Sequence, residues 1–113
     1  MTWWTYLLLT NTGSFYCGIS KDVKARVATH NRGKGSKYLR GSRLPAVLLI
    51  SWCFEGEDAH GDALRAELWI KNQTRHFKAQ LATMEARLDS PGWAFAAREG
   101  FSNNVDQILR SVQ

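Results

Sequence analysis

What this chain has little of narrows its class before any motif is read. Nowhere do apolar residues run for the roughly 18 positions that a membrane-spanning helix needs, so no membrane partner is expected. Cysteine occurs twice, at Cys17 and Cys53, and neither lies in a CxxC or at zinc spacing from another Cys or His. Neither a disulfide framework nor a structural zinc is expected. Both thiols read as buried strand residues that pack as small hydrophobes. The opening stretch MTWWTYLLLT has no basic leader and no small-residue cleavage site. It reads as a strand rather than a signal peptide, which makes the cytoplasm the expected compartment. There is no internal repeat and no low-complexity tract.

Acid is scarce in one segment above all. Between Lys21 and Arg43 there are eight basic residues and a single acid, Asp22, a local charge of +7 in a chain of net +5. The remainder is therefore slightly acidic. A concentrated basic segment favours phosphate-bearing partners, although a solvated loop has the same composition. At 113 residues, 44% apolar and 22% charged, the chain fits one soluble domain with its own core.

The order of elements follows from local pattern. WTYLLLT and SFYCGI are two short apolar runs joined by the turn formers NTGS, which predicts a β-hairpin. Asp22 then reads as a helix N-cap, Val23, Val27 and His30 as the helix's inner stripe, and Gly33 as its stop. RGKGSKYLRGSRLP is loop. After Pro45, AVLLISWCF is a continuous apolar run, expected to be a central strand covered on both faces. A second helix is expected within EGEDAHGDALRAELWIKN, on a stripe of Ala63, Leu64, Leu68 and Trp69 or Ile70. A third begins at the cap Thr74 and carries Phe77, Leu81, Met84 and Leu88 on one face. DSPGW breaks it, and Val105, Ile108, Leu109 and Val112 mark a short terminal helix. The expected fold is α+β: β-β-α-β-α-α around a small, mostly antiparallel sheet. Residues 1–88 would form the domain and 89–113 an extension packed on it.

Several side chains are candidates for chemistry. Arg26 and His30 lie i, i+4, about 40° apart on one helix face. One is a permanent cation suited to phosphate, the other a group that moves protons near neutral pH. A structural arginine and a half-exposed histidine fit the same spacing. Tyr6 and Tyr16 sit on the paired strands, where their hydroxyls can approach each other on one sheet face or simply pack in the core. Gly18 ends the second strand before its turn. Glu67 lies beside the apolar stripe of the second helix, either as a cation ligand or paired with Lys71 at i+4. One carboxylate, an arginine, tyrosines, a histidine and a basic loop are the minimum set for metal-assisted phosphodiester hydrolysis.

At these residues the chain resembles the GIY-YIG nuclease superfamily, and within it the small single-domain bacterial endonucleases. Tyr6 stands at the first motif's tyrosine, and YCGIS at the second motif, with Cys17 in place of its usual middle residue. Arg26 and His30 match the helix that follows. GKGSKYLRG is similar to the basic loop of the small members, and ALRAELWIK to their metal-site helix. The resemblance runs from about Trp4 to Leu81. The Gly-Ile lead of the first motif is absent, and no residue clearly matches an asparagine that many members carry downstream of the glutamate; Asn72 is near it in sequence. The resemblance implies a three-stranded antiparallel sheet flanked by helices and one Mg²⁺ or Mn²⁺ ion at Glu67, with no organic cofactor. It implies in-line hydrolysis of a DNA strand, with Tyr6, Tyr16, Arg26 and His30 around the scissile phosphate, and leaves the pathway open among repair, recombination, defence and toxin. Gly18, Lys34, Lys37, Tyr38, Arg40 and Lys71 are the expected substrate contacts, and a monomer or weak homodimer is expected. A nuclease-like module that binds DNA without cutting it, or an accessory subunit meeting its partner through the aromatic tail, remain the alternatives.

Overall fold

Strand β1 (Thr2–Leu9) organises the molecule, because both its edges are paired in the computed structural model, which describes residues 1–82. On one side it forms an antiparallel hairpin with β2 (Phe15–Ser20). On the other it pairs antiparallel with β3 (Val47–Glu55), giving the order β2-β1-β3. Helix α1 (Val23–Asn31) follows β2, a short 3-10 turn spans Gly41–Arg43, and α2 (Ala59–Lys71) and α3 (Arg75–Ala82) follow β3. This is the expected α+β architecture. The domain boundary at residue 88, Met84 and Leu88 of the third helix's stripe, and the terminal helix lie outside the described residues.

Two cores sandwich the sheet. Leu7, Cys17, Ile50, Trp52 and Phe54 face α2 and α3, where Ala59, Ala63, Ala66, Ile70 and Leu81 complete the larger core. Tyr6, Leu8, Leu39 and Ala46 form the smaller core, against Tyr16, Val23 and Val27 on the α1 side. The helix boundaries follow their caps. The Asp22 carboxylate accepts the Ala25 N–H at 3.1 Å, and Gly33 ends α1 at φ +74°. Thr74 Oγ1 accepts the Phe77 N–H at 3.1 Å at the start of α3.

Three sequence expectations need correction. β3 is an edge strand, not the central one, and its burial alternates: Ile50, Trp52 and Phe54 are buried while Val47 and Leu48 are exposed. Its continuous apolar run reflects a second, partly open face rather than cover on both sides. On α2 the stripe is also different. Leu64 and Leu68 point outward, and the inner face is Ala59, Ala63, Ala66 and Ile70 with Asp62. The sheet supplies the bulk there, through Trp52 and Phe54, so small residues let the helix approach. The approach is close enough for the buried Thr5 hydroxyl to donate to the Ala63 carbonyl at 2.8 Å. Finally, Cys17 is buried but Cys53 is only half-buried, because it lies on the open face of β3.

The β1–β3 register slips once. Leu7 stands opposite Ile50 but Leu8 opposite Leu48, leaving Leu49 as an extra residue in β3. Leu48 and Ser51, three apart, therefore both face the α1 side.

Candidate active site

The alternation of the hairpin sends Tyr6 and Tyr16 to the α1 side of the sheet, and the caps of α1 aim its inner face at them. The His30 ring is fully buried between the two tyrosines. Its Nε2 is 2.8 Å from the Tyr6 hydroxyl oxygen, and its Nδ1 accepts the Ser36 backbone N–H at 3.2 Å. Because Nδ1 is an acceptor, the neutral ring carries its proton on Nε2 and donates it to Tyr6. Arg26, half-buried one turn earlier, brings its cation close enough to favour ionisation of the Tyr6 hydroxyl. Tyr16 meets His30 edge-on at 5.3 Å between ring centroids, and Tyr6 at 6.4 Å.

Electrostatics separates these groups. Burial pushes the Tyr6 hydroxyl up to about 12, the neighbouring Tyr16 adds to this, and Arg26 only partly offsets it. Tyr6 therefore keeps its proton at neutral pH. His30 is lowered below its ordinary value, first by burial and then by the Arg26 cation, so it is neutral there.

Gly18 lies inside β2 directly opposite Tyr6, and the strand runs on to Ser20 rather than ending at the glycine. A Cβ at position 18 would stand 2.5 Å from the Tyr6 oxygen and 2.6 Å from its Cζ. Its glycine requirement thus comes from the buried tyrosine ring.

The basic loop sits beside this cluster. Tyr38 stacks on Tyr16 at 6.1 Å, is hydrogen-bonded to Ser14 Oγ at 2.9 Å, and carries the Arg43 guanidinium 4.3 Å above its ring. The Ser14 bond, and after it Arg43, lower the Tyr38 hydroxyl despite some desolvation. Lys34, Lys37 and Arg40 are exposed around it.

Glu67 stands apart from the four grouped residues. It belongs to α2, on the opposite face of the sheet, where its carboxylate is 3.5 Å from Lys71 Nζ. It is close enough to Cys17 to help burial raise that thiol to about 12. Cys17 lies between Tyr16 and Gly18 in the edge strand β2, with its side chain on the other face. Glu67 and the tyrosines are thus on opposite faces at the same strand, and no bond joins them. Asn72 ends α2 and is exposed.

Sequence reasoning missed Gly35, Ser36, Ser14 and Arg43. Gly35 packs against His30 so tightly that a Cβ there would lie 2.8 Å from the ring's Cε1. The available signal was the second glycine of GKGS, which the helix stop does not explain. A groove of about 650 Å³ also opens between α1 and the sheet, lined by Trp4, Lys21, Val23, Val27, Leu48 and Ser51. None of the five candidate catalytic side chains lines it.

The chain belongs to the GIY-YIG family: residues 2–80 match the GIY-YIG catalytic domain. Among similar proteins is a UPF0213 protein of Lacticaseibacillus paracasei, 56% identical over 77 residues, or 68% of this chain and 82% of that one. Another, from Nitratidesulfovibrio vulgaris, is 41% identical over 83 residues, covering 73% and 72%. The solution NMR structure of a UPF0213 protein from Bacillus halodurans shares 34% identity over 84% of this chain and 94% of that one, with a TM-score of 0.48.

Proposed function

We propose that this protein is a divalent-metal-dependent DNA endonuclease. The observation that carries the reading is the convergence of Tyr6, Tyr16, Arg26 and His30, from two strands and a helix, beside an exposed basic loop. A fold does not require these four groups to gather at one spot, whereas phosphodiester hydrolysis uses all of them.

Arg26 holds the phosphate and offsets charge that develops on it. Tyr6 keeps its proton. His30 has both nitrogens engaged and is out of reach of water, so it orients Tyr6. That leaves Tyr16, half-exposed on the same face, as the group that takes a proton from the attacking water. Lys34, Lys37, Arg40 and Tyr38 line the path of the strand. Recognition rests on the shape of the DNA or on its ends and branches, because a domain this small has room for few base-reading contacts.

Among the described residues no group of three His, Cys, Asp or Glu side chains could hold a metal. A single half-buried carboxylate still fits Mg²⁺ or Mn²⁺, which take one protein carboxylate together with water and substrate phosphate oxygens. Glu67, on the other face of the sheet beside the edge strand β2, would hold the ion, and its charge stabilisation would reach only a phosphate lying across that edge. Lys71 is already paired with that carboxylate, and this pairing favours a second reading, a DNA-binding module without turnover.

One experiment separates the two. Duplex, single-stranded, flap and branched DNA are incubated with wild type, Glu67→Gln and Arg26→Ala, with Mg²⁺, with Mn²⁺ and with EDTA. Metal-dependent cleavage by wild type that both variants lose supports the endonuclease. Salt-sensitive binding without cleavage by any form supports the module.

A further inference from the structure

The Ser36 amide reaches His30 from the loop that also carries Lys34, Lys37 and Tyr38. Such a bond does more than hold the ring in place. With Nδ1 accepting, the only proton of the neutral imidazole is on Nε2, so the Tyr6 oxygen must accept from His30. The phenol oxygen is then an acceptor toward His30, and its own O–H is left as a donor to other groups. With the opposite tautomer the relation reverses: a bare Nε2 accepts the Tyr6 O–H, and that proton points into the core.

We infer that the Gly35–Ser36 backbone is a positioning device that locks His30 in its Nε2–H tautomer and so turns the Tyr6 hydroxyl proton toward the reacting groups. Three observations, one on α1 and two on the loop that follows it, converge on it. His30 is fully buried, so no water competes for Nδ1. The Ser36 N–H is a backbone donor that cannot reverse its role. Gly35 presents no side chain where any Cβ would strike the imidazole, so the backbone can close over the ring. The loop that would meet substrate phosphates thereby also sets the direction of a proton at the catalytic tyrosines. Gly35 and Ser36 touch no substrate; they act through His30.

The mechanistic half of this rests on the nuclease reading, but the tautomer does not. The test is a two-dimensional ¹⁵N–¹H spectrum of the His imidazoles in the full-length protein at neutral pH, with His30 assigned by its loss in His30→Gln. The expected result is an Nε2–H imidazole for His30. An Nδ1–H ring or an imidazolium in the wild type overturns the inference outright. Gly35→Ala and Ser36→Pro, which displace or delete the N–H donor, are then compared with wild type by the same spectrum, by circular dichroism and by cleavage. Either variant that folds should show mixed tautomers and a cleavage rate lower by about 10–100-fold, as a small misplacement of reacting groups produces. A folded variant with mixed tautomers and an unchanged rate overturns the positioning role. If wild type shows the Nε2–H ring yet cuts no DNA, the nuclease reading fails while the lock stands.

Discussion

The Cα of Gly18 lies directly against the hydroxyl end of Tyr6, its partner across the β1–β2 ladder. The tyrosine is 1% exposed and has nowhere to retreat, since His30 holds its oxygen from the other side. Gly18→Ala is therefore expected to cost about 1–3 kcal/mol through overpacking, read as a lowered urea midpoint, and to reduce cleavage by moving Tyr6. An alanine variant as stable as wild type would show that the ring is free to shift.

Tyr6→Phe tests the polar side of the same contact. It keeps the packing but leaves the buried His30 Nε2–H without its acceptor. Burying unsatisfied donors costs about 1–3 kcal/mol, so the variant should be destabilised despite its conservative shape. Its cleavage should fall with DNA binding little changed, because the loop cations are untouched. Titration of DNA binding alongside single-turnover cleavage separates the two effects.

Glu67→Gln should behave in the opposite way. The pair it breaks is a single contact to a lysine whose side chain is 50% exposed, worth no more than about 1 kcal/mol. Stability should barely move while cleavage disappears. A Glu67→Gln protein that cuts at the wild-type rate removes the metal role from this residue.

Burial and the Arg26 cation lower His30 from its ordinary 6.5. The unfolded chain then binds a proton more readily than the folded one between those two values. The contribution is fully present above about 6.5 and is lost as pH falls from there through the folded value. Urea midpoints measured across this range should drop toward acid for wild type. His30→Gln should flatten that part of the curve, and an equally steep variant would assign the pH dependence elsewhere.

Replacing Lys34, Lys37 and Arg40 together by alanine should weaken DNA binding without altering the fold, since all three are exposed. For duplex DNA the slope of log affinity against log salt should shrink by about 0.9 for each phosphate that a removed cation had neutralised. An unchanged slope means the strand does not follow this loop.

Much of this molecule was legible from local signals, because those signals act locally. Asp22, Gly33 and Thr74 mark helix ends through bonds to their own neighbours, and the hairpin follows from two apolar runs and their turn. The failures are all questions of what lies across the way. An apolar run such as AVLLISWCF cannot report whether a partner strand lies on both sides. On α2, leucines look more like a core stripe than alanines do, until Trp52 and Phe54 are seen filling the space. The site divides along the same line. Arg26 and His30 could be placed together by helix geometry alone, and Tyr6 and Tyr16 by strand pairing. The Ser36 N–H could not, since backbone atoms in an irregular loop leave no trace in residue type. Nor could the face of the sheet on which Glu67 lies.

The extra residue at Leu49 bears on how this strand can change length. Deleting a residue among Ser51–Phe54 would invert the strand's alternation and expose Trp52 or Phe54. Removing Leu49 does the reverse: Leu48 and Ile50 become consecutive opposite Leu8 and Leu7, and every remaining side chain keeps its face. The only cost is the packing of one half-buried leucine. Among insertions and deletions in β3, this is the position where one residue can be dropped with the alternation of the strand intact.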